Sequence, residues 1–139
     1  MREIKFRAKT ATTNRWVYGH YAFIQGYHVI YEDGEPFVIV LSTLGQYTGL
    51  KDQNGVEIYE GDIVRFTNSL DEIDNEVGKV TWEQSECNFV VQYKTANCVT
   101  QEENGTTITI YLISNETYRE CVEYEVVGSI YENKNYEVR

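Results

Sequence analysis

At 139 residues the chain is long enough for one domain or for two small lobes sharing a core. Apolar residues make up 42% and aromatics 14%, led by 12 tyrosines, which excludes an intrinsically disordered chain and favours antiparallel β structure. The formal charge of −10 is uneven: residues 1–20 carry Arg2, Lys5, Arg7, Lys9 and Arg15 against Glu3, so the other 7 basic and 21 acidic side chains leave −14 on the rest, which repels a phosphate backbone.

In chain order, Ile4, Phe6 and Ala8 point one way and Glu3, Lys5, Arg7 and Lys9 the other, the pattern of a half-buried strand. Residues 10–15 are a polar connection. Residues 16–24 return to strand composition, Gly26 marks a turn, and residues 27–31 read as a third strand. Glu32-Asp33-Gly34-Glu35-Pro36 is a turn holding the only proline. The apolar run 37–41 has the length of a strand covered on both faces. Within residues 46–64, Asp52-Gln53-Asn54-Gly55 is a tight turn, since Asn and Gly tolerate positive φ and Asp can bond its own backbone. Glu60-Gly61-Asp62 is a second turn, delivering the chain into a strand with Val64 and Phe66 on one face.

Residues 67–76 lack a strand period and are densely acidic, so they read as an exposed loop. Residues 77–82, with Val80 and Trp82 inward, should pair as a hairpin with residues 88–93, with Phe89, Val91 and Tyr93 inward. Residues 106–112 alternate cleanly. Residues 114–121 are the one place where a helical turn fits, with Ser114 as N-cap and Glu116 in the first turn. The closing strand, 122–131, contains Gly128, where a bulge or barrel corner is expected.

Three blocks in order carry a resemblance: the start Met1-Arg2-Glu3-Ile4-Lys5-Phe6-Arg7-Ala8, the whole stretch 46–64, and Tyr124-Glu125-Val126-Val127-Gly128-Ser129-Ile130-Tyr131-Glu132-Asn133. Together they resemble the YopX family, small proteins encoded in phages and prophages of Gram-positive bacteria. One departure is visible after Asn133. The family continues with a proline and a short helical tail, whereas Lys134-Asn135-Tyr136-Glu137 follows here. The resemblance implies a phage or prophage setting; it brings no catalytic or ligand-binding residues. The expected fold is mainly β with little helix: an N-terminal β lobe (1–45), the signature turn segment (46–60) and an SH3-like barrel (61–139), five strand candidates following Val64.

Several constellations could carry chemistry. Asp52, Asn54, Glu57, Glu60 and Asp62 crowd oxygen ligands together, but their spacing fails the EF-hand pattern and turn chemistry accounts for Asp52 and Asn54. His20, His28, Cys87, Cys98 and Cys121 fit no motif for a nucleophile and base. No metal, cofactor or catalytic residue is expected, and the chain reads as a non-enzyme. The odd cysteine count without Cys-x-x-Cys spacing, and the lack of a leader or long apolar run, point to a reduced, cytoplasmic protein with no membrane segment. Asn104-Gly105-Thr106 and Asn115-Glu116-Thr117 match the glycosylation pattern, which is idle without secretion.

Two surfaces remain. Lys5, Arg7 and Lys9, with Trp16, Tyr18 and Tyr21 nearby, could hold phosphates while bases stack on the rings. Self-pairing of this strand with acidic surface, within or between molecules, competes with that use. Asp71, Glu72, Asp74 and Glu76, with the many tyrosines, could dock a basic or aromatic protein patch. The expected function is binding of another protein, with homo-oligomerisation through uncovered sheet edges; nucleic-acid binding through the basic strand is the alternative.

Overall fold

Period-two alternation and β-branched or aromatic residues put strands along most of the chain. The computed structural model describes residues 3–68, 73–85, 87–95, 106–111 and 122–132, with 68, 73–75, 93–95, 106–111 and 122 described by backbone alone. The strands are β1 (Phe6–Lys9), β2 (Trp16–Ile24), β3 (Tyr27–Glu32), β4 (Glu35–Val38), β5 (Gly45–Lys51), β6 (Glu57–Tyr59), β7 (Asp62–Asn68), β8 (Ile73–Glu83), β9 (Asn88–Thr95), β10 (Thr106–Tyr111) and β11 (Val122–Ser129). A short 3₁₀ turn at Leu41–Thr43 is the one helical element among the described residues. The fold is thus mainly β, in antiparallel sheets, and divides into two compact units, residues 1–49 and 50–139.

In the first unit the strand order is β4-β3-β2-β1-β5. This sheet does not stay open. The Ala11 N–H donates to the Val38 carbonyl at 2.9 Å, the Val40 N–H donates to the Lys9 carbonyl at 2.8 Å, and Thr10 bridges Ile39. The far end of β4 therefore returns to β1 and the wall rolls around Ala8, Val17, Ile30 and Ile39, packed by Phe6, Tyr21, Phe37 and Leu44. Rolling brings backbones close: a Cβ on Gly19 would lie 1.9 Å from the Tyr31 carbonyl oxygen, so only glycine fits there. Thr43 fixes the turn after β4, accepting the Lys9 N–H at 2.9 Å and donating to the Val40 carbonyl at 2.6 Å.

Two expectations for this region are corrected. Pro36 belongs to β4, opposite Tyr31, and the reversal is made by Asp33 (φ 52°) and Gly34 (φ 81°). Because Ile39 bonds His28 and the ladder alternates, Pro36 falls where a strand N–H would point away from β3, so its missing donor costs no ladder bond. The apolar run 37–41 is not a strand covered on both faces. Its strand ends at Val38, and Val38, Val40 and Leu41 are 41%, 38% and 47% exposed, because a rolled wall has a single inside.

The second unit orders its sheet β10-β9-β8-β7-β11 around Ile58, Val64, Phe66, Val80, Phe89, Val91 and Tyr124. The expected β8–β9 hairpin forms, with Val80 opposite Val91 and Trp82 opposite Phe89. Val80, Phe89 and Val91 are buried. Trp82 points to the same side as Val80 but is only partly covered: it is 40% exposed, meets the Phe89 ring edge-on at 5.0 Å and donates its N–H to Gln84 at 2.9 Å. Residues 73–76 are strand rather than loop, since β7 offers them ladder partners (Asn68 opposite Ile73, Phe66 opposite Glu76) that acidic composition conceals. Residues 46–51, read as part of a turn segment, form β5. The expected irregularity at Gly128 is present as a register shift between Val126 and Gly128. The expected helical turn at 114–121, Cys98, Cys121 and the tail after Asn133 lie outside the described residues, as do Asp71 and Glu72.

Candidate functional site

Two carboxylates of the signature stretch, Asp52 and Asp62, are taken up by backbone N–H groups. Asp52 is 7% exposed, and its Oδ1 accepts the N–H groups of Asn54 at 2.8 Å and Val56 at 2.9 Å. Its Oδ2 accepts the Val126 N–H at 2.9 Å, and the Gln53 N–H donates to the Tyr124 carbonyl at 3.0 Å. The turn thus occupies the outward-facing groups of β11, beside its bulge. Gly55 closes the turn at φ 81°, donating its N–H to the Asp52 carbonyl at 3.0 Å. Asp62, 1% exposed, likewise accepts the Tyr59 N–H at 2.7 Å. A carboxylate that satisfies two or three backbone donors serves as a cap, which explains why the sequence demands these acids. Among the described residues no three His, Cys, Asp or Glu side chains converge as a metal site requires.

The basic strand is placed on the outer side of the first unit's wall but not in solvent. Arg7 pairs across the ladder with Tyr18 and Lys9 with Trp16, and the Trp16 ring lies 4.4 Å from the Arg7 guanidinium carbon and 5.5 Å from Lys9 Nζ. Arg7 and Lys9 are only 7% and 8% exposed, so the expectation of solvent-facing cations is corrected: of the rings expected to stack on bases, Trp16 lies over the cations instead. Lys5 is held by Glu3 at 3.4 Å and lies 5.4 Å from the Tyr47 ring. Arg15 spans Glu32 at 3.1 Å and the Phe37 ring at 5.2 Å. The Glu32 carboxyl also accepts the Tyr18 N–H at 2.9 Å; that bond, and then Arg15, hold it below its ordinary value near 4.5 against a partial desolvation.

The other candidates are equally engaged. His28 Nδ1 shares a 2.5 Å hydrogen bond with the Tyr21 hydroxyl, beside the Phe23 ring at 4.7 Å. Cys87 sits in the β8–β9 turn at φ 50°, its Sγ 3.5 Å from the Gln84 carbonyl oxygen. Of the acidic set, Glu76 is half-buried in β8 and the backbone of Asp74 lies on the same strand, so this part of the expected acidic loop is strand. A shallow depression of about 180 Å³ on the second unit is lined by Arg65, Glu123 and Glu125 over Phe66 and Tyr124. It presents neither His nor Cys, and Arg65 and Glu125 are 3.8 Å apart.

What the first unit displays is a surface that the alternation alone did not single out. On the outer side, the register aligns His20 with Tyr31 and Pro36, Ala22 with Val29 and Val38, and Ile24 with Tyr27. Tyr27 is 59% exposed, Tyr18 41%, Val38 41% and Ile24 38%, with Phe23 at 62% near the β2–β3 hairpin tip. Residues 16–31 contain no Asp, Glu, Lys or Arg, in a chain that is 24% charged. That uncharged run was the available signal. Such a surface, carrying no formal charge over residues 16–31, is suited to burying apolar area against another surface.

Among the described residues no helix is long and apolar enough to cross a membrane. The family model described as YopX protein matches residues 5–136. No curated protein matches the chain.

Proposed function

The chain belongs to the YopX family, and from that premise we propose that it is a non-catalytic phage or prophage accessory protein, acting in the host cytoplasm by binding another protein through the outer face of β2–β4. The observation that carries this reading is the uncharged, Tyr-rich exposed face spanning Tyr18, Ile24, Tyr27 and Val38. Aromatic rings over an apolar sheet face supply contact area at little entropic cost, the chemistry of a protein interface. The carboxylates of Asp52 and Asp62 are occupied as backbone caps, which leaves them no catalytic part in this reading. Nucleic-acid binding through Lys5, Arg7 and Lys9 ranks below it, because Arg7 and Lys9 lie under Trp16 and the remainder of the chain is strongly acidic.

The test is capture from host lysate on the purified protein, with and without nuclease, using wild type and Tyr27→Lys. Protein partners that survive nuclease and disappear with Tyr27→Lys are expected. Recovery of nuclease-sensitive material alone, or capture indifferent to Tyr27→Lys, overturns the reading.

A further inference from the structure

We infer that the outer face of the first unit is the contact surface for a second copy of this chain, face to face across a two-fold axis; this rests on the reading of that face as a protein-binding surface. Charge selects the occupant. Each copy carries −10, so two copies repel wherever acidic surface meets acidic surface. Residues 16–31 carry no formal charge, and the neighbouring cations Arg7 and Lys9 are sheltered beneath Trp16. Two like copies can therefore meet here without like-charge opposition. A partner with an ordinary charged surface would desolvate its charges against a face that offers none in return, whereas the same face on a second copy matches it by symmetry.

The geometry favours faces over strand addition. Added strands need free backbone groups along an edge, and β4 is poor in them: Pro36 has no N–H, and the Val38 carbonyl already accepts the Ala11 N–H. The side chains remain available. Tyr18, Ile24, Tyr27, Val38 and Val40 are each at least 38% exposed. Their exposed parts amount to roughly 400 Å², a patch size associated with contact surfaces and below the ~800 Å² that each partner buries in a standard interface. A reversible dimer follows, rather than a permanent one.

Sedimentation velocity of the full chain, from about 1 μM to about 1 mM, tests this at both low (about 0.05 M) and high (about 0.5 M) salt. A monomer–dimer equilibrium is expected that strengthens with salt, because salt screens the mutual repulsion while leaving an uncharged contact intact. Tyr27→Lys combined with Val38→Lys should weaken it at least ~10-fold with an unchanged circular-dichroism spectrum, and Tyr27→Phe should preserve it. A monomer throughout, dimerisation weakened by salt, or dimerisation unaffected by the double substitution overturns the inference. A monomer whose lysate capture still depends on Tyr27 removes the second copy and leaves the protein-binding reading standing; loss of both removes both.

Discussion

Asp52 in the second unit and Arg7 and Lys9 in the first are buried to the same degree, at 7%, 7% and 8% exposure, but by opposite means. Asp52 is enclosed by backbone: three N–H groups converge on its two oxygens and tie a turn to β11. The cations are enclosed by the Trp16 ring, which lies over Arg7 and Lys9 together. Burial by backbone donors fixes the path of the chain, since each bond is directional and leaves an orphaned donor if broken. Burial under a ring is less directional. Its consequence lies outside, where a wall that would have presented positive charge presents aromatic surface instead. The same device that covers the basic strand thereby makes the first unit suited to apolar contact.

The largest expected effect comes from removing the directional member. Asp52→Ala strands the N–H groups of Asn54, Val56 and Val126 and should cost about 3 kcal/mol in urea unfolding, on the scale of unsatisfied buried donors. Asp52→Asn sharpens the point: its carbonyl oxygen can serve one side, but its NH₂ group then faces a donor on the other, so most of the loss should remain. Retention of wild-type stability by Asp52→Ala would mean that the turn holds without its carboxylate.

Next in size is Trp16→Ala, expected to destabilise by about 2 kcal/mol through lost ring area and two cation–π contacts. It should also create a property: salt-sensitive binding to single-stranded oligonucleotide, absent in wild type, as Arg7 and Lys9 become exposed. Fluorescence anisotropy at two salt concentrations measures that gain, and its absence would show that something other than the ring keeps these cations from phosphate.

The smallest effect concerns Glu32, a carboxylate of the first unit that works as Asp52 does, accepting the Tyr18 N–H with Arg15 alongside. Its folded-state proton affinity is lowered, so it contributes stability above its ordinary value near 4.5, and that contribution fades as pH falls below this value. Glu32→Gln should therefore flatten the acid limb of stability against pH and change little at neutral pH. Thermal unfolding at stepped pH reads this directly; an acid limb as steep as that of wild type would remove Glu32 from the account.

Much of this was legible in the sequence where the signal is local. Turn chemistry at Asp52-Gln53-Asn54-Gly55 and at Glu60-Gly61-Asp62, the hairpin joining residues 77–82 to 88–93, and the irregularity at Gly128 all follow from residue types at short spacing. Pro36 and residues 73–76 were misread because propensity weighs a residue without its ladder partner. The exposure of Trp82 was not legible for a related reason: alternation gives the side a residue points to, and the position along the hairpin decides whether that side is covered.

By itself the sequence determined the β character, the turns, the family and the uneven charge, because each depends on residue type or on neighbours a few positions away. Only the tertiary structure decided what those residues face. Nothing in the spacing of Asp52 points to Val126, 74 residues on, and nothing in Lys5, Arg7 and Lys9 shows that cross-strand pairing with Trp16 and Tyr18 and a bridge from Thr10 to Ile39 would roll the strand into a ring-covered wall. Side-chain exposure is set by contacts between distant segments, and for that physical reason the basic strand that looked like a binding surface became a support, and the uncharged strands beside it became the surface.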